Sequence, residues 1–209
     1  MPPRRGAGGR PEGRPAPELQ FYEQEAGFRS AVLPDPWLLG MFLLMSSHGH
    51  HRHDVRDIGC GVITVSDTRT AATDGSGARI RELLQGHGHR VEHYEILKDD
   101  PDAIATAISA APPAAEVLII NGGTGLARRD TTYEAVTRLL DKEITGFGEL
   151  FRMLSYQQIG AAAMLSRATA GVVGRRIVFS VPGSTAAVDL AMTNLILPTL
   201  GHVVGLVRG

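Results

Sequence analysis

An α/β domain is the fold the sequence predicts: a three-layer α/β/α sandwich with a mostly parallel central sheet, preceded by a disordered N-terminal extension. Three observations carry that expectation. From residue 58 onward, short apolar runs of strand length alternate with apolar residues at helical spacing, the pattern of a parallel sheet with helices on both faces. Hydrophobic residues make up 43% of the chain and charged residues 21%, which suits a packed core and is unlike a disordered or membrane chain. Seven of the 12 prolines fall in the first 36 residues, where no core can be built. Residues 1 to 54 therefore read as the extension and residues 55 to 209 as one domain.

Within the extension, the apolar run from Trp37 to Met45 is well short of the ~20 residues a membrane helix needs. No membrane partner is expected. Arg4, Arg5, Arg10 and Arg14 suggest a signal peptide, but Glu12, Glu18, Glu23, Glu25 and Asp35 intervene and no small-x-small cleavage site follows. Met41 and Met45 leave an internal start open. Four of the eight histidines crowd into His48-Gly49-His50-His51-Arg52-His53. Without a regular element or an acidic or thiol partner to fix them, they read as a solvated tail that retains adventitious nickel or zinc.

The formal charge of -1, from 21 basic and 22 acidic residues, lacks the excess that non-specific nucleic-acid binding draws on. Nucleic acid is excluded as an expected partner. The one cysteine, Cys60, sits in Ile58-Gly59-Cys60-Gly61-Val62-Ile63 and reads as a buried small hydrophobe. No intrachain disulfide is possible, which fits a reducing, cytoplasmic location.

In order, Ile58 to Val65 is the first strand, and Ile80, Leu83 and Leu84 mark the helix after it. Val91 to Leu97 is the second strand, alternating at Val91, His93, Glu95 and Leu97, and Ile104, Ala107, Ile108 and Ala111 form the apolar face of the next helix. Val117 to Ile120 is the third and most apolar strand, followed by a helix marked by Tyr133, Val136, Leu139 and Leu140. Beyond it lie a helical stretch from Phe147 to Gln158, strands from Thr169 to Val173 and Ile177 to Val181, and a last helix from about Thr185 to Leu197.

Chemistry in such sheets gathers at the carboxyl ends of the strands. The turn Gly122-Gly123-Thr124-Gly125 lets backbone approach a ligand and leads to a helix start, which makes an anion cradle. Alone, it is equally a tight connection. It matches neither the P-loop nor the dinucleotide fingerprint. Arg128 and Arg129 add positive charge, and Asp130 adds a carboxylate for a metal. Thr131 and Glu134 have capping-box spacing, which assigns them to structure and releases Asp130. Asp100 before Pro101 is a natural N-cap, which leaves Asp99 over. Ser66, Asp67 and Thr68 close the first strand with polar groups. Pro182-Gly183-Ser184 sets a glycine and a hydroxyl at a helix start, where capping and anion binding by Ser184 both remain open.

Four segments in order, Val62-Ile63-Thr64-Val65-Ser66-Asp67-Thr68, the glycine turn, Thr145-Gly146-Phe147-Gly148-Glu149-Leu150-Phe151-Arg152 and Pro182-Gly183-Ser184, resemble the MoaB/Mog family of molybdopterin-binding proteins. The resemblance covers about residues 55 to 200. It implies a three-layer α/β/α fold, a homotrimer or homohexamer, and adenylyltransferase activity: transfer of AMP to molybdopterin, with Mg²⁺ as cofactor and ATP as co-substrate. By the same resemblance, Gly122, Gly123, Thr124 and Gly125 hold the pterin phosphate, with Ser66, Asp67, Thr68, Arg128 and Arg129 also assigned to substrate binding. Asp99 and Asp130 match the two catalytic acidic positions and would hold the magnesium. Glu149, Arg152 and Ser184 match positions lining the same cleft, although Glu149 and Arg152 are also spaced for a helix-surface ion pair. Thr185 departs from the pattern, since many relatives have proline there. The downstream molybdenum-insertion enzyme is a candidate partner. A molybdopterin carrier or scaffold without transferase activity is the alternative, and the retained aspartates weigh against it.

Overall fold

The computed structural model describes residues 55–209, so the expectations for the extension, its apolar run and its histidine tract lie outside the described residues. One sheet of six strands has the order β2-β1-β3-β6-β5-β4 among the described residues. Its strands are β1 (Gly59–Val65), β2 (Arg90–Leu97), β3 (Val117–Asn121), β4 (Lys142–Glu143), β5 (Thr169–Val173) and β6 (Arg176–Val181). β2, β1, β3 and β6 are parallel, β5 is antiparallel to β6, and β4 is antiparallel to β5. The mostly parallel α/β architecture is as expected. Two-residue β4 has too little sequence to carry a strand pattern, and neither it nor the 3-10 turn Gly160–Leu165 was legible.

β1 and β3 are buried along their whole length, because a strand covered on both faces has no solvent side. Their alternate residues feed two cores. Val62, Ile119 and Phe179 face α1 (Gly75–Gly86), α4 (Thr145–Ile159) and the C-terminal helices. Ile63, Leu118, Ile120 and Val178 face α2 (Pro101–Ala110) and α3 (Thr132–Leu139). Cys60 lies in the first core, where burial, aided by nearby Glu116, pushes its thiol up to about 12.

The last helix does not stop near Leu197. α5 (Thr185–Ala191) continues through a π-type turn (Met192–Ile196) into α6 (Leu197–Arg208). Pro198 falls in the first turn of α6, where the ring is tolerated, and the wider turn before it accommodates the missing N–H. By length and composition this 24-residue helical run is long and apolar enough to cross a membrane. Val188, Met192, Ile196, Leu200 and Val204 are instead buried in the core beneath the sheet.

The edge strand β2 carries a bulge that plain alternation hides: Cys60 pairs with Val91 and Gly61 with His93, so Glu92 is the extra residue. A strict period of two would put Val91 and Tyr94 on opposite faces. With the bulge, both pack on the core beneath α1. That placement brings the Tyr94 hydroxyl to Asp74, to which it donates at 2.9 Å.

Asp74 is the buried N-cap of α1 and accepts from the Gly77 N–H at 2.9 Å. The Thr64 hydroxyl donates to it at 2.6 Å, and Arg69 Nη1 lies 3.3 Å away. The Ser76 hydroxyl is 3.2 Å from the carboxylate and 2.6 Å from Asn121 Oδ1, which extends the network to the end of β3. Burial by itself would raise this carboxyl's pKa. The donors from Thr64, Gly77, Tyr94 and Ser76 together outweigh burial and hold it below the ordinary carboxylate range. Its contribution to stability is then complete above the unfolded aspartate value of ~3.9 and is lost as pH falls through the lower folded value. Asp74→Asn is predicted to cost about 3 kcal/mol in urea denaturation at neutral pH, the scale of a hydrogen-bonded buried charge. The gap from wild type should close in acid, and equal stability at neutral pH would show that the charge plays no part.

Candidate functional site

The sheet order itself points to one place. The chain leaves β1 for β2 on one side, β3 pairs on the other, and α1 and α2 cover opposite faces, so a crevice opens at the carboxyl ends of β1 and β3. Three turns converge there: those after β1, β3 and β6. Gly122 N donates to Val181 O at 3.0 Å, and Arg69 Nη2 donates to Gly183 O at 2.8 Å. A Cβ on Gly183 would stand 3.1 Å from the Gly122 Cα, so the two glycine turns pack backbone on backbone.

Gly122 and Gly123 have φ values of 105° and 63°, which accounts for glycine at both. A side chain at Gly122 would strike the Val65 carbonyl, and one at Gly123 would strike the Thr132 hydroxyl and the Asp99 carboxylate. At Gly125 it would strike the Asp130 carboxylate. The space beside the turn is thus occupied by the two aspartates singled out from the sequence. Among the described residues, the N–H groups of Gly123, Thr124, Gly125 and Leu126 donate to no protein acceptor.

Asp99 is not an idle residue beside a cap. Its Oδ1 accepts from the Thr131 N–H at 2.9 Å and the Thr131 hydroxyl at 2.8 Å. This corrects the expected capping box: the Thr131 side chain makes no cap bond to its own helix, because its hydroxyl is committed to Asp99. Glu134 pairs with Arg167 instead of reaching back. Asp130 has a similar local duty, its Oδ2 accepting from Ala127 N at 3.1 Å. Asp99 Oδ2 and Asp130 Oδ1 accept no hydrogen bond from the described residues. Asp100 caps α2 as expected, accepting from Ala103 N at 2.8 Å, with Pro101 next.

The remaining candidates divide. Ser66 Oγ accepts from Thr68 N and Arg69 N, which closes the turn after β1. Ser66 and Asp67 border a cleft of about 430 Å³ with Arg69, Tyr94 and Lys98, while Asp67 and Thr68 are exposed. Arg128 and Arg129 are exposed beyond the glycine turn, and neither forms an ion pair among the described residues. Ser184 caps α5, accepting from Ala187 N at 3.2 Å, and remains exposed. Glu149 is exposed on α4, whereas the Arg152 guanidinium lies back over Gly148. The two form no ion pair, and no hydrogen bond joins either to the glycine turn, among the described residues.

Three residues that hold the site together escaped the sequence reading: Asp74, Arg69 and Arg167. Asp74 left a signal, an aspartate just before the helical run toward Ile80 and Leu84. Arg69 and Arg167 left none, because an arginine bound to backbone carbonyls far away in sequence looks like any surface arginine.

A family model described as "Probable molybdopterin binding domain" matches residues 61–202. The chain is 53% identical over 162 residues to a protein of Bacillus cereus named "Molybdenum cofactor biosynthesis protein B", covering 76% of this chain and 96% of that protein. Its fold is similar to a crystal structure of a "Molybdenum cofactor biosynthesis protein B", with a TM-score of 0.72, 53% identity and coverage of 73% of this chain and 97% of the other. It is also similar to the "tungsten cofactor synthesizing protein MoaB" of Pyrococcus furiosus, with a TM-score of 0.67, 38% identity and coverage of 74% and 99%.

Proposed function

This chain belongs to the MoaB/Mog family of molybdenum cofactor biosynthesis proteins, and we propose that within it the chain is a cytoplasmic molybdopterin adenylyltransferase. One observation carries the reading: a run of backbone N–H groups with no acceptor among the described residues is bordered by two carboxylates, each with an oxygen that accepts no hydrogen bond from those residues. The N–H run and Arg128 or Arg129 suit phosphate, and the carboxylates suit a hard cation between phosphates. In the reaction, a terminal phosphate oxygen of molybdopterin attacks the α-phosphorus of ATP. The bond from that phosphorus to the bridging oxygen breaks, and pyrophosphate leaves with the electron pair. The protein's task is to bring two polyanions together and hold them in line.

Among the described residues, no three His, Cys, Asp or Glu side chains gather as a metal cage. Magnesium needs none, since one or two carboxylates serve and phosphates and water supply the rest. Asp99 and Asp130 fit that requirement and would hold it; bound there, its charge offsets that of the phosphates. Each aspartate does two jobs in this reading, one oxygen ordering the loop and the other facing the cation.

Incubation with molybdopterin and Mg-ATP, followed by mass spectrometry, should yield the adenylylated pterin. Asp99→Asn and Asp130→Asn keep an oxygen for Thr131 or Ala127 but remove the charge, and each should slow AMP transfer by about 100-fold or more. Asp100→Asn, still a good cap, should be nearly silent. Wild-type rates in both site variants would remove the aspartates from the mechanism. If the wild type binds molybdopterin but forms no adenylylated product, the protein is a carrier.

The reading includes self-assembly into a trimer or hexamer. Leu150, Met153, Tyr156 and Ile159 of α4 are exposed, as are Met164 and Leu165 just beyond. Apolar surface of this kind marks an interface. Native mass spectrometry should show three or six chains, and a stable monomer at micromolar concentration would contradict the assignment.

A further inference from the structure

Arg167 holds the glycine turn from behind. It comes from the segment between the 3-10 turn and β5, and its side chain is 20% exposed. Nε donates to the Thr124 carbonyl at 3.1 Å, and Nη2 donates to the Asp130 carbonyl at 3.1 Å and also to the Gly125 carbonyl. Nη1 pairs with Glu134, and the guanidinium lies 5.0 Å from the centre of the Tyr133 ring. All these contacts fall on one segment, residues 124 to 134.

A trans peptide points its carbonyl and its N–H in opposite directions. Fixing the carbonyls of Thr124 and Gly125 against the guanidinium therefore turns the N–H groups of Gly125 and Leu126 away from it, and these are among the N–H groups with no acceptor among the described residues. The peptide between Asp130 and Thr131 is gripped from both sides, its oxygen by Arg167 and its N–H by Asp99 at 2.9 Å. A planar fork of five donors can hold several acceptors in fixed directions; an ammonium on a flexible stem cannot.

We propose that Arg167 is a positioning residue for the phosphate-binding turn: it touches no substrate but sets the direction of the N–H edge and the place of the Asp130–Thr131 peptide. This rests on the reading of the turn as the phosphate site. Preorganised donors bind phosphate without the cost of ordering the loop, so loosening the clamp should appear in molybdopterin affinity first.

The test uses the full chain, with Arg167→Lys and Arg167→Ala beside the wild type. Hydrogen exchange on the free protein should speed up by about tenfold or more in peptides covering residues 122 to 131, with the strands unchanged. The KM for molybdopterin should rise by about tenfold while that for ATP stays within about twofold. Ethylguanidinium should restore the KM of Arg167→Ala, and ethylammonium should not. Unchanged exchange at 122 to 131, an unchanged KM for molybdopterin in both variants, or loss of cooperative unfolding in both would each overturn the proposal. A wild type without turnover sinks the transferase reading and not the clamp, which the exchange result then decides alone.

Discussion

Burying a carboxylate costs several kcal/mol unless its lone pairs are filled, and Asp74 is buried at the start of α1. The donors it requires come from four places: Thr64 on β1, Tyr94 on β2, Gly77 in the first turn of α1 and Arg69 in the turn after β1. None can move far without stranding the charge. Arg69 then passes the constraint on to Gly183, and Ser76 passes it to Asn121 at the base of the glycine turn. The three turns of the site are thereby referenced to one buried group.

Around that fixed base the site is built mostly from backbone, and side chains serve to aim it. Asp99 and Arg167 grip the same peptide from opposite sides, and glycines leave room for Asp99 and Asp130 at the turn. Such construction suits a ligand recognised through phosphate, where oriented N–H groups supply charge complementarity without mobile side chains.

Much of the fold was legible because its signals are local. β1, β3 and β5 stand out as apolar runs, and the Asp100-Pro101 cap is read from two adjacent residues. What escaped depends on partners distant in sequence. The bulge at Glu92 is a property of pairing with β1, and the continuation to Arg208 depends on a sheet that buries Ile196, Leu200 and Val204. Thr131 and Glu134 carry capping-box spacing, but Asp99 and Arg167 compete for them and win. For the site, the glycine turn and both aspartates were visible as residue types. The part Asp99 plays in ordering the loop was not, since its hydrogen bonds to Thr131 span 32 residues.

In the proposed function, the pterin phosphate lies on the N–H edge of residues 123 to 126, at the end of β3. A crystal structure of the protein with molybdopterin bound tests it most directly. Phosphate oxygens are expected within hydrogen-bonding distance of at least two of those N–H groups, with Asp99 and Asp130 beside them. Phosphate seated elsewhere, with the turn making no contact, would contradict it.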